Sequence, residues 1–248
     1  MRKKVLAANW KMNLLRNEAF NLYGDLNASL RNFQGIEIVL FPPSIYISEL
    51  QFKGSLSLGI QNIYFESKGA FTGEIAAAQA KSIGCSYVLI GHSERRELFL
   101  ENDDLLKEKV NSARAENLKI IFSCGETLEI RTKNEHLSFV KTQLENSLFH
   151  LSEMEILNCT IAYEPVWAIG TGLNASAEQA EEMHSEIRHL ISKNYSEEIA
   201  QEISIIYGGS CNNNNAAQLF NCPNVDGALV GGASLNSLSF FELAASLQ

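Results

Sequence analysis

Short apolar segments recur along the chain, and several of them lack the polar alternation of a strand that has one face in water. The segments are residues 5–8, 36–41, 56–60, 87–90, 119–122, 160–163, 203–207 and 228–230. Strands that are buried on both faces show this continuous apolar pattern. The pattern therefore predicts eight buried strands.

Between these segments, apolar residues recur at spacings of three and four, which places them on one face of a helix. Four such stripes are Ala19, Tyr23, Leu26 and Leu30; Leu106, Val110 and Ala113; Leu137, Val140, Leu144 and Leu148; and Ala180, Met183, Ile187 and Leu190. Before the last stripe, the Ser176 oxygen can cap the first turn while the Gln179 side chain reaches back. The chain thus alternates strands with helices.

This alternation predicts a parallel sheet, because each crossover is long enough for a helix, and eight parallel strands close into a barrel. The length of 248 residues suits such a barrel, although length alone allows one domain or two. An open doubly wound sheet is the alternative, but no G-x-G-x-x-G turn follows the first strand. We predict an α/β fold, with a single (β/α)8 barrel over residues 1–248 and its chemistry at the carboxyl ends of the strands.

Composition and charge narrow the classes of partner and compartment. A net charge of −9 disfavours nucleic acid and anionic lipid as partners, so an anionic ligand needs a local cation. Five scattered cysteines without a C-x-x-C pair favour a reducing compartment over a disulfide framework or a zinc site. The first apolar run is broken at Asn9 and Lys11, too early for a signal peptide, and no segment reaches the ~20 apolar residues of a membrane span. The expected location is the cytoplasm.

Polar residues stand where several predicted strands end: Asn9 and Lys11 after the first, His92 after the fourth, Cys124 after the fifth and Glu164 after the sixth. A carboxylate can act as a base, a neutral imidazole at a helix start can polarise a carbonyl, and an ammonium group can offset negative charge. Each residue also has a structural interpretation: a charge leaving for solvent, a helix cap or a surface lysine. Their shared placement favours a proton-transfer site.

Three loops complete the candidate site. The connection from Pro165 to Ser176 exceeds the ~2–6 residues usual for such a turn and carries apolar bulk between proline and glycine, which favours a lid. Gly208-Gly209-Ser210 and Gly231-Gly232 follow the seventh and eighth strands. Glycine pairs can mark turns alone, but barrels commonly hold phosphate here, on backbone N–H groups and a short extra helix. Residues 233–238 are expected to form that helix.

Five blocks of sequence carry a family resemblance. They are Asn9-Trp10-Lys11-Met12-Asn13, Gly91-His92-Ser93-Glu94-Arg95-Arg96, Tyr163-Glu164-Pro165-Val166-Trp167-Ala168-Ile169-Gly170-Thr171-Gly172, Tyr207-Gly208-Gly209-Ser210 and Gly227-Ala228-Leu229-Val230-Gly231-Gly232-Ala233-Ser234-Leu235. In this order, and over essentially the whole chain, the sequence resembles the triosephosphate isomerase family. The resemblance implies a TIM barrel that interconverts dihydroxyacetone phosphate and glyceraldehyde 3-phosphate through an enediolate, without metal or cofactor, in glycolysis and gluconeogenesis.

The resemblance also implies residue roles. Glu164 would be the base, neutral His92 the electrophile, and Asn9 and Lys11 part of the catalytic and substrate-binding set. Supporting residues would be Ser93, Glu94 and Cys124. The phosphate would rest near Gly170, Ser210, Gly231 and Gly232, with Lys11 supplying charge. The lid would comprise Pro165, Val166, Trp167, Ala168, Ile169, Gly170 and Thr171.

For assembly, the resemblance implies a homodimer. Gln61-Asn62 and the segment Gly69-Ala70-Phe71-Thr72-Gly73-Glu74 are similar to the family's third, dimer-forming loop. Its residues Phe71, Thr72, Gly73 and Glu74 would enter a pocket near Asn9 and Lys11 of the partner subunit.

Two other function classes stay open at the level of sequence. A Schiff-base aldolase would need a desolvated lysine at a strand end, for which Lys11 is the comparable candidate. A non-enzymatic scaffold or adhesin could use the same fold, since fold alone does not define function.

Overall fold

The computed structural model describes residues 2–31, 33–50, 54, 56–169 and 174–248. Within these residues, eight parallel strands form a closed barrel in chain order. The strands are Lys4–Asn9 (β1), Ile36–Phe41 (β2), Ser57–Ile60 (β3), Tyr87–Ile90 (β4), Lys119–Cys124 (β5), Cys159–Tyr163 (β6), Ile205–Tyr207 (β7) and Gly227–Val230 (β8). The predicted barrel is confirmed, with every strand boundary within two residues of its prediction.

Two apolar layers explain the continuous pattern of the strands. Alternate strand residues form a compact cluster inside the barrel: Val5, Ala7, Val39, Phe41, Tyr87, Leu89, Ile121, Ala162, Ile206 and Leu229. The intervening residues, such as Leu6 and Ala8, belong to the larger cluster between the barrel and its helices. Because both strand faces are buried, neither needs polar side chains.

The helices surround the barrel. In the described residues they are Arg16–Leu30 (α1), Ser44–Leu50 (α2), Ala77–Ser82 (α3), Ser93–Leu98 (α4), Asp103–Ala115 (α5), Leu128–Thr132 (α6), His136–Ser147 (α7), Glu153–Ile156 (α8), Ala177–Asn194 (α9), Glu197–Glu202 (α10), Ala216–Phe220 (α11) and Ser237–Ser246 (α12). The four predicted stripes fall on α1, α5, α7 and α9. No helix among the described residues is long and apolar enough to cross a membrane.

Two local predictions can be compared directly with the structure. The Ser176 cap of α9 is confirmed: the Gln179 amide donates to Ser176 Oγ at 3.2 Å, and the Ser176 amide donates to Gln179 Oε1 at 2.9 Å. The helix expected over residues 233–238 is wrong in its bounds. A 3-10 turn spans Gly232–Leu235, and α12 begins separately at Ser237 because Asn236 Oδ1 accepts from the Ser239 amide.

Strand β8 begins at Gly227, where its backbone passes too close to β1 for a side chain. The φ angle of Gly227 is +143°, and a Cβ there would lie 1.8 Å from the Val5 carbonyl oxygen. We expect Gly227→Ala to lower the free energy of unfolding by about 3 kcal/mol, because backbone strain adds to overpacking. The melting temperature, followed by circular dichroism, should fall by at least about 6 °C.

The matched control for this substitution is Gly24→Ala. Gly24 lies within α1, and a Cβ there meets nothing within 4 Å. Alanine should stabilise that helix by roughly 0.5–1 kcal/mol. Equal melting temperatures for the two variants would contradict the close approach of β8 to β1.

Candidate active site

The candidate residues gather at the carboxyl ends of the strands. Asn9 ends β1, His92 lies two residues beyond β4, Cys124 ends β5 and Glu164 directly follows β6. His92 Nε2 is 3.8 Å from Glu164 Oε1, although the two residues are far apart in the sequence. The fold therefore brings an imidazole and a carboxylate together at one rim of the barrel.

His92 is the N-cap residue of α4, and a hydrogen bond to its ring indicates the tautomer. The Glu94 amide donates to His92 Nδ1 at 3.2 Å, so this nitrogen carries no proton. A neutral ring then holds its proton on Nε2, the nitrogen nearer Glu164. The sharp turn into α4 depends on Gly91, at φ +81°, where a Cβ would lie 2.7 Å from the Ser123 carbonyl oxygen.

Glu164 is almost completely buried, at 1% exposure, yet only one of its oxygens has a described partner. The Ser93 amide donates to Glu164 Oε2 at 2.9 Å. Glu164 Oε1 is buried and has no hydrogen-bond partner among the described residues. One carboxylate oxygen is thus held by a helix start, and the other faces the His92 ring.

Lys11 supplies positive charge beside this pair. Its amide donates to Asn9 Oδ1 at 3.0 Å, which supports a left-handed backbone at φ +52°. Lys11 Nζ lies 2.6 Å from Glu94 Oε1. A Cβ added to Gly231 would lie 3.9 Å from the same Nζ, so the ammonium group is close to the loop after β8.

Of these groups, Asn9, Lys11, His92 and Glu94 line a cavity of about 400 Å³, which suits a small ligand. Its walls combine the strand-end residues with the loops after β7 and β8: Asn9, Lys11, His92, Glu94, Ser210, Gly231 and Gly232, together with Ile169. Glu164 is not among these lining residues, and its Oε2 accepts from the Ser93 amide. Gly170 and Thr171, expected in the phosphate site and the lid, lie outside the described residues.

The thiol of Cys124 is fully enclosed rather than part of the cavity wall. Burial raises its pKa far above the ordinary range, so the thiol stays protonated. The backbone at this point has a direct role, since the Glu164 amide donates to the Cys124 carbonyl at 2.7 Å. Cys124 therefore supports the position of the Glu164 main chain.

Glu126 is a buried residue that the sequence analysis did not single out. Its Oε1 accepts from the Tyr163 hydroxyl at 3.0 Å and from Trp167 Nε1 at 2.9 Å, and its carbonyl accepts from the Val166 amide at 3.0 Å. The 3-10 turn Val166–Ala168, which begins two residues after Glu164, is thereby attached to the loop after β5. The sequence offered one indication of this role: Glu126 lies two residues beyond Cys124, at the carboxyl end of β5, where site residues are expected.

The comparisons with known proteins agree with this geometry. A family model described as triosephosphate isomerase matches residues 4–247. The chain belongs to the triosephosphate isomerase family. A triosephosphate isomerase of Cytophaga hutchinsonii is 45% identical and covers 99% of this chain and 100% of its own length. That of Amoebophilus asiaticus is 41% identical with full coverage of both, and that of Rhodopirellula baltica is 45% identical over 94% and 93%.

The segment similar to the triosephosphate isomerase family's dimer loop is exposed and lies next to the site. Phe71, Thr72, Gly73 and Glu74 are all exposed. A second cavity, of about 420 Å³, is lined by Gly73 and Glu74 and also by Asn9 and Lys11. The exposed side chain of Met12 borders the same cavity, at 96% exposure.

Proposed function

We propose that this chain interconverts dihydroxyacetone phosphate and D-glyceraldehyde 3-phosphate. The observation that carries the proposal is the convergence of Glu164, His92 and Lys11 at one rim, in a member of the triosephosphate isomerase family. The reaction moves protons between adjacent carbons, and these three groups supply a base, a hydrogen-bond donor and a cation.

In the proposed mechanism, Glu164 removes a proton from carbon 1 of dihydroxyacetone phosphate and returns one to carbon 2. The His92 Nε2–H donates to the oxygens of the enediolate while negative charge develops on them. The Glu164 carboxylate must first leave the Ser93 amide and turn into the cavity. One hydrogen moves from carbon 1 to carbon 2, and the hydroxyl proton moves from the oxygen on carbon 1 to the oxygen on carbon 2, so substrate and product are isomers and no external oxidant or reductant is consumed.

The phosphate group of the substrate is proposed to rest on the loops after β7 and β8. Backbone N–H groups near Ser210, Gly231 and Gly232 suit an anion, and Lys11 adds charge in a protein of net charge −9. Gly170 is proposed to contribute from the lid, Pro165 to Thr171. A closed lid would exclude water from the intermediate and limit loss of its phosphate.

The direct test is a coupled assay of the purified protein with dihydroxyacetone phosphate. We expect turnover, with deuterium from D2O incorporated at carbon 2 of the glyceraldehyde 3-phosphate formed. Absence of both would overturn the proposal. Borohydride trapping with the same substrate tests the Schiff-base alternative, because reduction of an imine would link the substrate covalently to Lys11.

We also propose that the chain forms a homodimer through the segment containing Thr72, which would enter the cavity near Asn9 and Lys11 of the partner subunit. Sedimentation should give twice the 27.5 kDa of one chain. Thr72→Trp is expected to raise the dimer dissociation constant by at least about 10-fold, because the proposed contact would have to accommodate a much larger side chain. Lys141→Trp on α7 is the control, and a fully active wild-type monomer at micromolar concentration would contradict the dimer.

All five cysteines are free, and four of them are buried. This supports the proposal that the protein works in a reducing compartment, the cytoplasm.

A further inference from the structure

We infer that Arg131 is a positioning residue for Glu164, and that Glu182 of α9 holds Arg131 in place. This inference rests on the proposed function, because it concerns how the proposed base is kept in position. Arg131 does not line the cavity. It acts through two residues described above, Glu126 and Trp167.

The first step concerns what Arg131 contacts. Its side chain lies on α6 and is only 14% exposed. The guanidinium carbon lies 5.9 Å from the centroid of the Trp167 ring, and Nη1 lies 3.5 Å from Glu126 Oε1. The Arg131 guanidinium thus faces both the Trp167 indole and the Glu126 carboxylate that accepts from this indole. A planar guanidinium can stack on a ring and bind a carboxylate together, whereas an ammonium group is a point charge.

The second step concerns Glu126, whose carboxylate is fully buried. Its Oε1 receives the Tyr163 hydroxyl and the Trp167 indole, while Oε2 has no hydrogen-bond partner among the described residues. A buried carboxylate needs a compensating charge, and Arg131 is the cation within ion-pair distance in the described part of the chain. Tyr163 and Trp167 flank Glu164 in the sequence, and both donate to Glu126. Loss of the positive charge that compensates Glu126 would therefore disturb the main chain on both sides of Glu164.

The third step concerns the attachment of Arg131 to α9. Nη2 donates to Glu182 Oε2 at 2.6 Å, which is the shortest contact of this guanidinium. Glu182 also lies 3.8 Å from His136 Nε2, at the start of α7. Helices α6, α7 and α9 therefore converge on Glu182, and the path from this carboxylate to Glu164 runs through Arg131, Glu126 and Trp167.

The main test replaces Arg131 with Met, which keeps an unbranched side chain and removes the charge. We expect kcat to fall between about 10- and 100-fold, because small displacements of a reacting group are costly, while KM changes less than about twofold. Arg131→Lys should recover much of kcat. Glu182→Gln should give a smaller loss, and Glu186→Gln on the same helix, with the same change in charge and no ion-pair partner among the described residues, should give none.

A spectroscopic measurement separates positioning from general destabilisation. The chain has two tryptophans, Trp10 and Trp167, so labelling with 5-fluorotryptophan gives two ¹⁹F resonances. In Arg131→Met and Glu182→Gln, the Trp167 resonance should shift while that of buried Trp10 stays in place. If Arg131→Met does not fold, Glu182→Gln and Arg131→Lys provide the same comparison.

The outcomes distinguish this inference from the proposed function. Wild-type protein without isomerase activity overturns the proposed function and, with it, the effect on catalysis. Active wild-type protein whose Arg131→Met variant keeps kcat within twofold, or leaves the Trp167 resonance unmoved, overturns the role of Arg131 alone. Equal shifts of both tryptophan resonances would indicate a global change and would also overturn it.

Discussion

Replacing Glu164 with Gln should lower kcat by at least about 100-fold, because a general base contributes typically about 10²–10⁴ in rate. Glutamine has nearly the same shape, and its side-chain oxygen can still accept from the Ser93 amide, as Glu164 Oε2 does at 2.9 Å. The melting temperature should therefore change little. The measurement is steady-state turnover in both directions, together with thermal denaturation.

The control for Glu164→Gln is Glu129→Gln on α6, which removes the same charge from a side chain that is 75% exposed. That variant should keep wild-type turnover. Near-normal kcat in Glu164→Gln would exclude Glu164 as the base. A large fall in melting temperature would show instead that the buried carboxylate stabilises the fold.

The second large effect is expected from Lys11→Met, which removes the cation beside the cavity. A hydrogen bond to a charged group is worth about 1.5–3 kcal/mol, so kcat/KM should fall between about 10- and 150-fold. The loss should be larger at low ionic strength. Salt screens the attraction between Lys11 and the anionic substrate, so less attraction remains to be lost at high salt. Steady-state assays over a range of salt concentrations measure both effects.

The loss in Lys11→Met has two parts: the missing positive charge of Lys11, and the repulsion of the substrate by the Glu94 carboxylate that Lys11 no longer pairs. Without Lys11, the carboxylate that now lies 2.6 Å from its Nζ would be left unpaired beside an anionic substrate. The double variant Lys11→Met with Glu94→Gln should therefore recover part of kcat/KM. Lys141→Met, on the exposed face of α7, serves as the control. If both Lys11 variants retained wild-type kcat/KM, the phosphate would be bound without this cation.

The fold could be predicted closely from the sequence because its main signal is local. A strand that is buried on both faces is largely apolar, and Ile36–Phe41 and Tyr87–Ile90 have the bounds that this pattern predicts, although Glu37 interrupts the first of them. Elsewhere the boundary depends on tertiary contacts. The third helical stripe shows the limit: Leu137 is 36% exposed, whereas the polar residues His136 and Gln143 take buried positions on α7.

The sequence could predict those site residues that directly follow a strand, and no others. Their shared rim follows from parallel topology, so the approach of His92 to Glu164 was within reach. The orientation of Glu164 towards the Ser93 amide was not, because it depends on side-chain torsions that no sequence pattern specifies. Glu126 and Arg131 were missed for a different reason: their contacts join α6 and the loop after β5 to the turn after β6, across distances in sequence that no spacing rule covers.

The order of strands around the barrel has a consequence for how this protein can be altered. Neighbouring strands are also successive in the chain, and β8 returns to pair with β1. Each loop at the functional rim therefore stands above its own strand and helix, and Lys11, His92 and Glu164 have separate supports. One loop at the functional rim could therefore be exchanged or lengthened while the other loops and the barrel stay unchanged. Such a change could alter which ligand is bound without a change of fold.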